Sequence, residues 1–284
     1  RIKKDGTKEI ITSNWYYNHE FDDSELRMMI DSILFSKTIP AGQASELIKK
    51  IAGLSNIYFT NKMTHVSSLP GLEHTSNQQT LYNVGLIDDA ISEKKQISFV
   101  YNNYWEDKKL HPRREEPYIV NPYQMVANDG KYYLVCNYDK YDTLSNYRVD
   151  KMTQVKIINK PAKKRDKVKG MEHGLNLPKH MAEHIYMFAD EPVTIILRVK
   201  KSAISDIVDW FGSNFDVVDE SIARQYEGFR ETTDAVTYVR LVCSRQAMSH
   251  WAMQYGTSVE VIYPTELRTQ IGEAVKEMNN RYND

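Results

Sequence analysis

The chain has 284 residues, 41% of them hydrophobic, enough for an ordinary core and more than one domain usually holds, so two or three domains are expected. It contains only two cysteines, Cys136 and Cys243, each in an apolar run, which argues against a disulfide framework or thiolate metal site and fits a reducing cytoplasm. The formal charge of −1 hides an asymmetry: residues 94–165 carry 15 Lys and Arg against 8 Asp and Glu, a balance of +7, leaving −8 on the flanks. A basic middle suggests an anionic partner, although Lys-rich loops are also commonly just solvated. No run of about 18 apolar residues is present, so no membrane span is expected. No signal peptide opens the chain. It begins with Arg1 rather than Met, and a further segment upstream is expected.

Residues 1–17 read as a β-hairpin, with Arg1-Ile2-Lys3-Lys4 and Lys8-Glu9-Ile10-Ile11 flanking the tight-turn pair Asp5-Gly6. Phe21 to Glu25 reads as a helix start, and Leu26, Met29, Ile30, Ile33 and Leu34 recur at the spacing of one buried helical face. Pro40 breaks that helix, and a second follows with Ala44, Leu47, Ile48 and Ile51 inward. Residues 60–75 read as irregular, and a third helix over 76–93 turns Leu81, Val84, Ile87 and Ile91 inward.

The texture changes at Gln96. Strands are expected over 96–101, 116–120, 123–127, 131–137, 144–149 and 155–158, with Asn128-Asp129-Gly130 closing a hairpin. So many short strands with tight turns suggest a small antiparallel barrel. The 19 tyrosines suit its half-wet walls, and an AT-rich codon bias would produce them equally. Residues 160–170 (KPAKKRDKVKG) read as an exposed linker or, more sharply, a nucleic-acid-binding run. Strands at 193–199, 215–218, 235–243 and 259–262 then alternate with helices at 205–211, 245–255 and from Pro264 onward, which suggests a ferredoxin-like α+β domain.

Enzyme signatures are absent: there is no GxxxxGK[ST], GxGxxG or GxSxG. His180 and His184 stand at i, i+4, but two residues do not make a zinc site and the HExxH order is missing. The carboxylate pairs Asp22-Asp23 and Glu115-Glu116 are adjacent in sequence and poorly suited to acid–base work. No catalytic residue, metal or cofactor is expected.

The run Gly130-Lys131-Tyr132-Tyr133-Leu134-Val135-Cys136, followed by Asn146-Tyr147-Arg148-Val149-Asp150-Lys151-Met152, resembles the WYL domain of bacterial transcriptional regulators, with Tyr132 in place of the family's Trp. Asn121-Pro122-Tyr123 resembles the family's Pro-containing strand. Residues 21–51 resemble its interdomain helices. Residues 191–282 resemble its C-terminal extension, with Trp251 to Gly256 ahead of strand Val259 to Ile262, and Pro264 to Arg268 opening the last helix. The resemblance implies an α+β multidomain chain. Residues 1–20 would be the wing of a truncated winged helix-turn-helix, 21–93 a helical linker, 94–165 a small Sm/SH3-like WYL barrel, 166–190 a second linker, and 191–284 a C-terminal domain for homodimerisation. It implies DNA bound through the N-terminal head, with Lys3, Lys4 and Lys8 on the wing, and a single-stranded nucleic acid or nucleotide-like ligand at the barrel.

The candidate ligand residues are Arg148, Lys151, Tyr133, Tyr101, Tyr123, Asn146, His111, Arg113 and Arg114. Arginine grips phosphate bidentately, lysine offers a point charge, and tyrosines can stack on bases. Strand alternation separates Arg148 from Lys151 unless the strand bends at its end. For the tyrosines, core packing is the competing reading; for Arg148 it is an ion pair with Asp150. Asn146 stands where relatives often carry a larger or more basic residue. A protein-interaction module that recruits a partner such as a nuclease or polymerase component is the alternative to a regulator.

Overall fold

The computed structural model describes residues 4–8, 20–55, 59, 75–231 and 233–283. Most of the expected hairpin over 1–17, Lys3 included, lies outside the described residues, as does most of the 60–75 stretch. Lys4 and Lys8 are exposed either side of a turn in which the Thr7 N–H donates to Asp5 Oδ1 (2.9 Å) and Gly6 takes φ +83°.

Helix α1 (Asp23–Phe35) starts with a capping box: Asp22 Oδ1 accepts from the Ser24 and Glu25 N–H groups, and Glu25 accepts from the Asp22 N–H. Its buried Leu26 and Ile30 pack against Ala52 of helix α2 (Ala41–Ala52). Helix α3 (Thr80–Ser92) differs from its expected face. Thr80, Asn83, Ile87 and Ala90 point inward, while Leu81 is exposed. Asn83 turns inward because its amide donates to the Met152 carbonyl at the barrel edge, a bond that compensates for burying a polar group.

Strands β1 (Lys95–Tyr104), β2 (Leu110–Pro112), β3 (Tyr118–Asn128), β4 (Lys131–Asn137), β5 (Leu144–Arg148) and β6 (Met152–Pro161) form an antiparallel half-barrel in the order β2-β1-β3-β4-β5, with β6 also paired to β1. Alternating residues Ile97, Phe99 and Tyr101 of β1 face Leu134, Cys136 and Met152, and Ile87 of α3 packs on the same core. The two strands expected at 116–120 and 123–127 are one strand. Pro122 is tolerated because the β3–β4 register shifts between Pro122 and Gln124. The strand expected to reach Val149 ends at Arg148, where a 3₁₀ turn (Val149–Lys151) bends the chain into β6.

The α1–α2 connection is clasped to the β3–β4 turn. The Lys37 N–H and Thr38 hydroxyl both donate to the Gly130 carbonyl (2.8 and 3.1 Å), and Lys37 ion-pairs with Asp129. Gly130 has φ +69°, and a Cβ there would sit 2.9 Å from the Phe35 carbonyl oxygen. Gly130→Ala is therefore expected to cost more than about 1 kcal/mol. It should also open this clasp, seen as faster amide hydrogen exchange at Lys37.

The basic segment read as an exposed linker is exposed over most of its length, and it is anchored to the barrel at a few points. Val168 and Met171 are buried against Tyr123, the Arg165 guanidinium donates to the Tyr123 carbonyl, and the Lys163 N–H donates to Asn121. The segment's few apolar residues and its cation–carbonyl bonds anchor it despite its composition. Helix α4 (Leu177–Glu183), capped by Asn176, follows, and Met187 packs on Val126 and Val135 across the outer face of the barrel.

The remaining elements are β7 (Pro192–Lys200), α5 (Ile204–Phe211), β8 (Phe215–Val218), the one-turn α6 (Glu220–Ala223), β9 (Val236–Ser244), α7 (Arg245–Gln254), β10 (Val259–Tyr263) and α8 (Thr265–Asn283). The antiparallel order β10-β7-β9-β8 with α5 and α7 as crossovers is the ferredoxin-like arrangement. Trp251 and Phe211 meet edge to face in its core beside Ile195, Leu197 and Leu241. Among the described residues no helix is long and apolar enough to cross a membrane.

Candidate functional site

The 3₁₀ turn brings the end of β5 and the start of β6 around one corner of the barrel. Arg148 reaches Asp150 through two bonds, Nε to Oδ1 at 3.0 Å and Nη2 to Oδ2 at 2.6 Å. Asp150 is 1% exposed, whereas the Arg148 side chain keeps 25% of its surface. Burial alone would lower Arg148's pKa; the Asp150 bonds overcome that and raise it. The guanidinium is thus a fixed cation with an open edge.

Lys151 lies beside it. Burial, then Arg148, and further Lys131 and Arg113 push the Lys151 ammonium down, with Asp150 opposing. Lys151 thus lies within electrostatic reach of three other cations, and the Arg113 N–H donates to the carbonyl of Tyr101 (2.8 Å), the residue whose hydroxyl meets the Arg148 N–H. Arg148 is paired with Asp150, and Lys131 lies 3.6 Å from exposed Asp129. No carboxylate among the described residues ion-pairs with Lys151 or Arg113. A group of cations of which two have no direct ion pair favours binding of an anion with more than one negative oxygen.

Two tyrosines border the cations. Tyr133 pairs with Arg148 across β4 and β5. The Tyr101 hydroxyl accepts from the Arg148 N–H (3.4 Å), and burial raises its pKa to about 12, so the phenol keeps its proton at neutral pH. Lys131 and Tyr133 continue into a cleft of about 570 Å³ walled opposite by Tyr186 and Trp210. Those two rings meet at 5.2 Å, and the Trp210 indole N–H is satisfied by the Tyr255 hydroxyl.

Other expected site residues stand apart. Tyr123 is core: it is 3% exposed, and its hydroxyl donates to the Lys163 carbonyl. Arg114 lies 3.6 Å over the Tyr118 ring and donates to the Glu116 and Pro117 carbonyls. His111 stacks on Trp105 at 4.2 Å and bonds Asp107 at the tip of the β1–β2 hairpin. Asn146 faces the 166–190 segment, its amide donating to the Met187 carbonyl. Lys131 was not singled out from the sequence. It shares a face with Tyr133 two residues on, and the tight β3–β4 turn fixes that register, so counting pairs from Arg148 would have found it.

His180 of α4 and His184 at its C-cap stack at 4.4 Å, and His184 Nδ1 donates to the His180 carbonyl. Among the described residues no group of three or more His, Cys, Asp or Glu could hold a metal ion. Burial, then His184, lowers the His180 pKa to about 4. Unfolding frees this ring to protonate near its ordinary value of about 6.5. Its contribution to stability is thus complete above that value and falls as pH drops toward 4. His180→Leu should flatten the fall of the urea midpoint between pH 6.5 and 4, with little effect on its pH dependence above 7.

The family model of the WYL domain matches residues 83–157, and that of the WCX domain matches residues 191–278. The chain carries a WYL domain followed by a WCX domain. The four-cation corner lies within the WYL match, and the ferredoxin-like sheet is the WCX domain. WYL and WCX domains are typical of ligand-sensing transcriptional regulators, which are generally non-catalytic. Proteasome accessory factor B/C (PafBC) of Arthrobacter aurescens is similar at 14% identity and TM-score 0.32, over 93% of this chain and 37% of that one. A CRISPR Cas-related protein is similar at 12% identity and TM-score 0.44, over 94% of this chain and 75% of that one. Likenesses this distant carry no inference about what the chain binds. No curated protein sequence matches the chain significantly.

Proposed function

We propose that this WYL–WCX chain is a ligand-responsive, DNA-binding transcriptional regulator whose barrel senses a phosphate-bearing ligand, a nucleotide or short single-stranded nucleic acid. The observation that carries the reading is the convergence of Arg113, Lys131, Arg148 and Lys151, two of them without a carboxylate partner. Phosphates would sit on these cations, and a base would enter the cleft between Tyr133, Tyr186 and Trp210. Because that cleft is lined by both the barrel and the WCX domain, an occupant would bias how the two domains sit. The chain would act as a two-fold homodimer on palindromic half-sites, with Lys3, Lys4 and Lys8 near DNA. Fluorescence anisotropy with labelled oligothymidine, competed by AMP, tests the sensing step. Salt-sensitive binding is expected; absence of binding by both would end the reading.

A protein-interaction module is the second reading. It is favoured by Tyr104 and Trp105, 40% and 62% exposed at the β1–β2 hairpin tip. An apolar partner contact there would be nearly insensitive to salt and lost in Trp105→Ala.

A further inference from the structure

The β1–β2 hairpin runs outward from the cationic corner, and its register decides which side chains share a face. Asn102 pairs with Pro112, Asn103 with His111 and Tyr104 with Leu110, and the Arg113 N–H donates to the Tyr101 carbonyl (2.8 Å). Beyond the last pair, the Trp105 N–H donates to the Lys109 carbonyl (3.2 Å). Directly opposed side chains lie on one face of a sheet, and so do side chains two apart along a strand. Tyr101 with Arg113, Asn103 with His111, and Trp105 with Lys109 therefore fall on the same face. The stack of Trp105 on His111 at 4.2 Å agrees with that placement.

This face begins at the corner, where the Tyr101 hydroxyl accepts from the Arg148 N–H and Arg113 acts on Lys151. It ends in an aromatic platform. His111 covers one side of the Trp105 ring, with 13° between the planes, and Trp105 is still largely exposed. Asp107 Oδ2 holds His111 Nε2 at 2.8 Å, so the stack is fixed before any ligand arrives, which lowers the ordering cost of binding. Asp107 is spent on that bond and on the Lys109 N–H (2.9 Å). The turn's other carboxylate, Glu106, is outnumbered by the exposed Lys108 and Lys109.

We infer that this hairpin face is a second arm of the binding site, on which a single nucleic-acid strand runs out from the corner and stacks a base on the open side of Trp105. The inference rests on the reading of the corner as a phosphate site. Trp105 stands four residues beyond Tyr101, about 13 Å along the strand. That is further than a nucleotide's base stands from its own phosphate, so one nucleotide does not fill both corner and platform. The ligand is then an oligonucleotide, with one base in the cleft at Tyr186 and Trp210 and another on the hairpin. Arg113 and Lys109 would follow its backbone between them, and stacking on the indole would accept any base.

Titration of the full chain with a thymidine decanucleotide and, separately, with AMP tests the arm, in wild type, Trp105→Ala and Trp105→Phe. Trp105 is at the surface, so both variants should keep the fold, which thermal melting checks. Trp105→Ala is expected to weaken decanucleotide binding about fivefold or more, the usual worth of a stacked base, and Trp105→Phe to keep most of it. AMP affinity should be the same in all three. Equal decanucleotide affinity in wild type and Trp105→Ala would overturn the arm, leave the corner standing and return Trp105 to a protein partner. An AMP affinity that falls in step with the decanucleotide's would also overturn it, because a single nucleotide would then reach Trp105. Failure of wild type to bind either probe would end the corner reading itself and the arm with it.

Discussion

Arg148→Ala should lose about 3 kcal/mol of barrel stability, read as a lower urea midpoint, whether or not any ligand is present. Asp150 is almost wholly buried, and its carboxylate has Arg148 as its ion-pair partner. Removing the guanidinium strands a buried charge, and such losses run to roughly 3–5 kcal/mol; the partial exposure of Arg148 places this one at the low end. Replacing both members, as Arg148→Met with Asp150→Leu, should recover most of the loss, because a paired buried charge can be exchanged for apolar volume at little cost. The coupling in such a double-mutant cycle measures the pair directly. Equal destabilisation by the single and double variants would show that something other than the stranded carboxylate sets the loss. One consequence concerns ligand binding: an alanine at 148 confounds sensing with folding, so sensing is better tested elsewhere in the cluster.

Lys151→Ala combined with Arg113→Ala is that test. Neither side chain has a carboxylate partner, so their loss strands no buried charge, and the urea midpoint should move little. A charge-assisted contact is worth roughly 1.5–3 kcal/mol, so each substitution should weaken oligothymidine binding about tenfold or more, and the pair about a hundredfold. Retained affinity in a folded double variant would remove these two cations from the site.

The fold was legible in the sequence wherever periodicity and turn chemistry agreed. The Asp129-Gly130 turn, the alternation along β1 and β4, and the strand–helix alternation after residue 191 are all local signals, and each marks the observed element to within a few residues. Where long-range bonds decide, the local signal failed. Asn83 faces inward because of a carbonyl 69 residues away, and the largely exposed 160–170 segment is tied to the barrel because Tyr123 and Asn121 offer it partners. The resemblance pointed to Arg148 and Lys151, but strand alternation alone set them on opposite faces. The 3₁₀ turn that brings them together carries no strong sequence signal, since Val149-Asp150-Lys151 reads equally well as strand. Tyr123 and Tyr133 look alike in sequence. Their separation into core residue and cleft wall follows from the burial of Tyr123 with Val168 and Met171, which only the anchored segment reveals.

The central claim is that the corner formed by Arg113, Lys131, Arg148 and Lys151 binds phosphates. The most direct measurement is the salt dependence of oligothymidine affinity for wild type and for Lys151→Ala/Arg113→Ala. Each phosphate contact on a single strand contributes about −0.7 to the slope of log K against log salt. Wild type should show a steep negative slope and the double variant one shallower by about 1.4. Identical slopes, or a wild-type affinity indifferent to salt, would contradict the account.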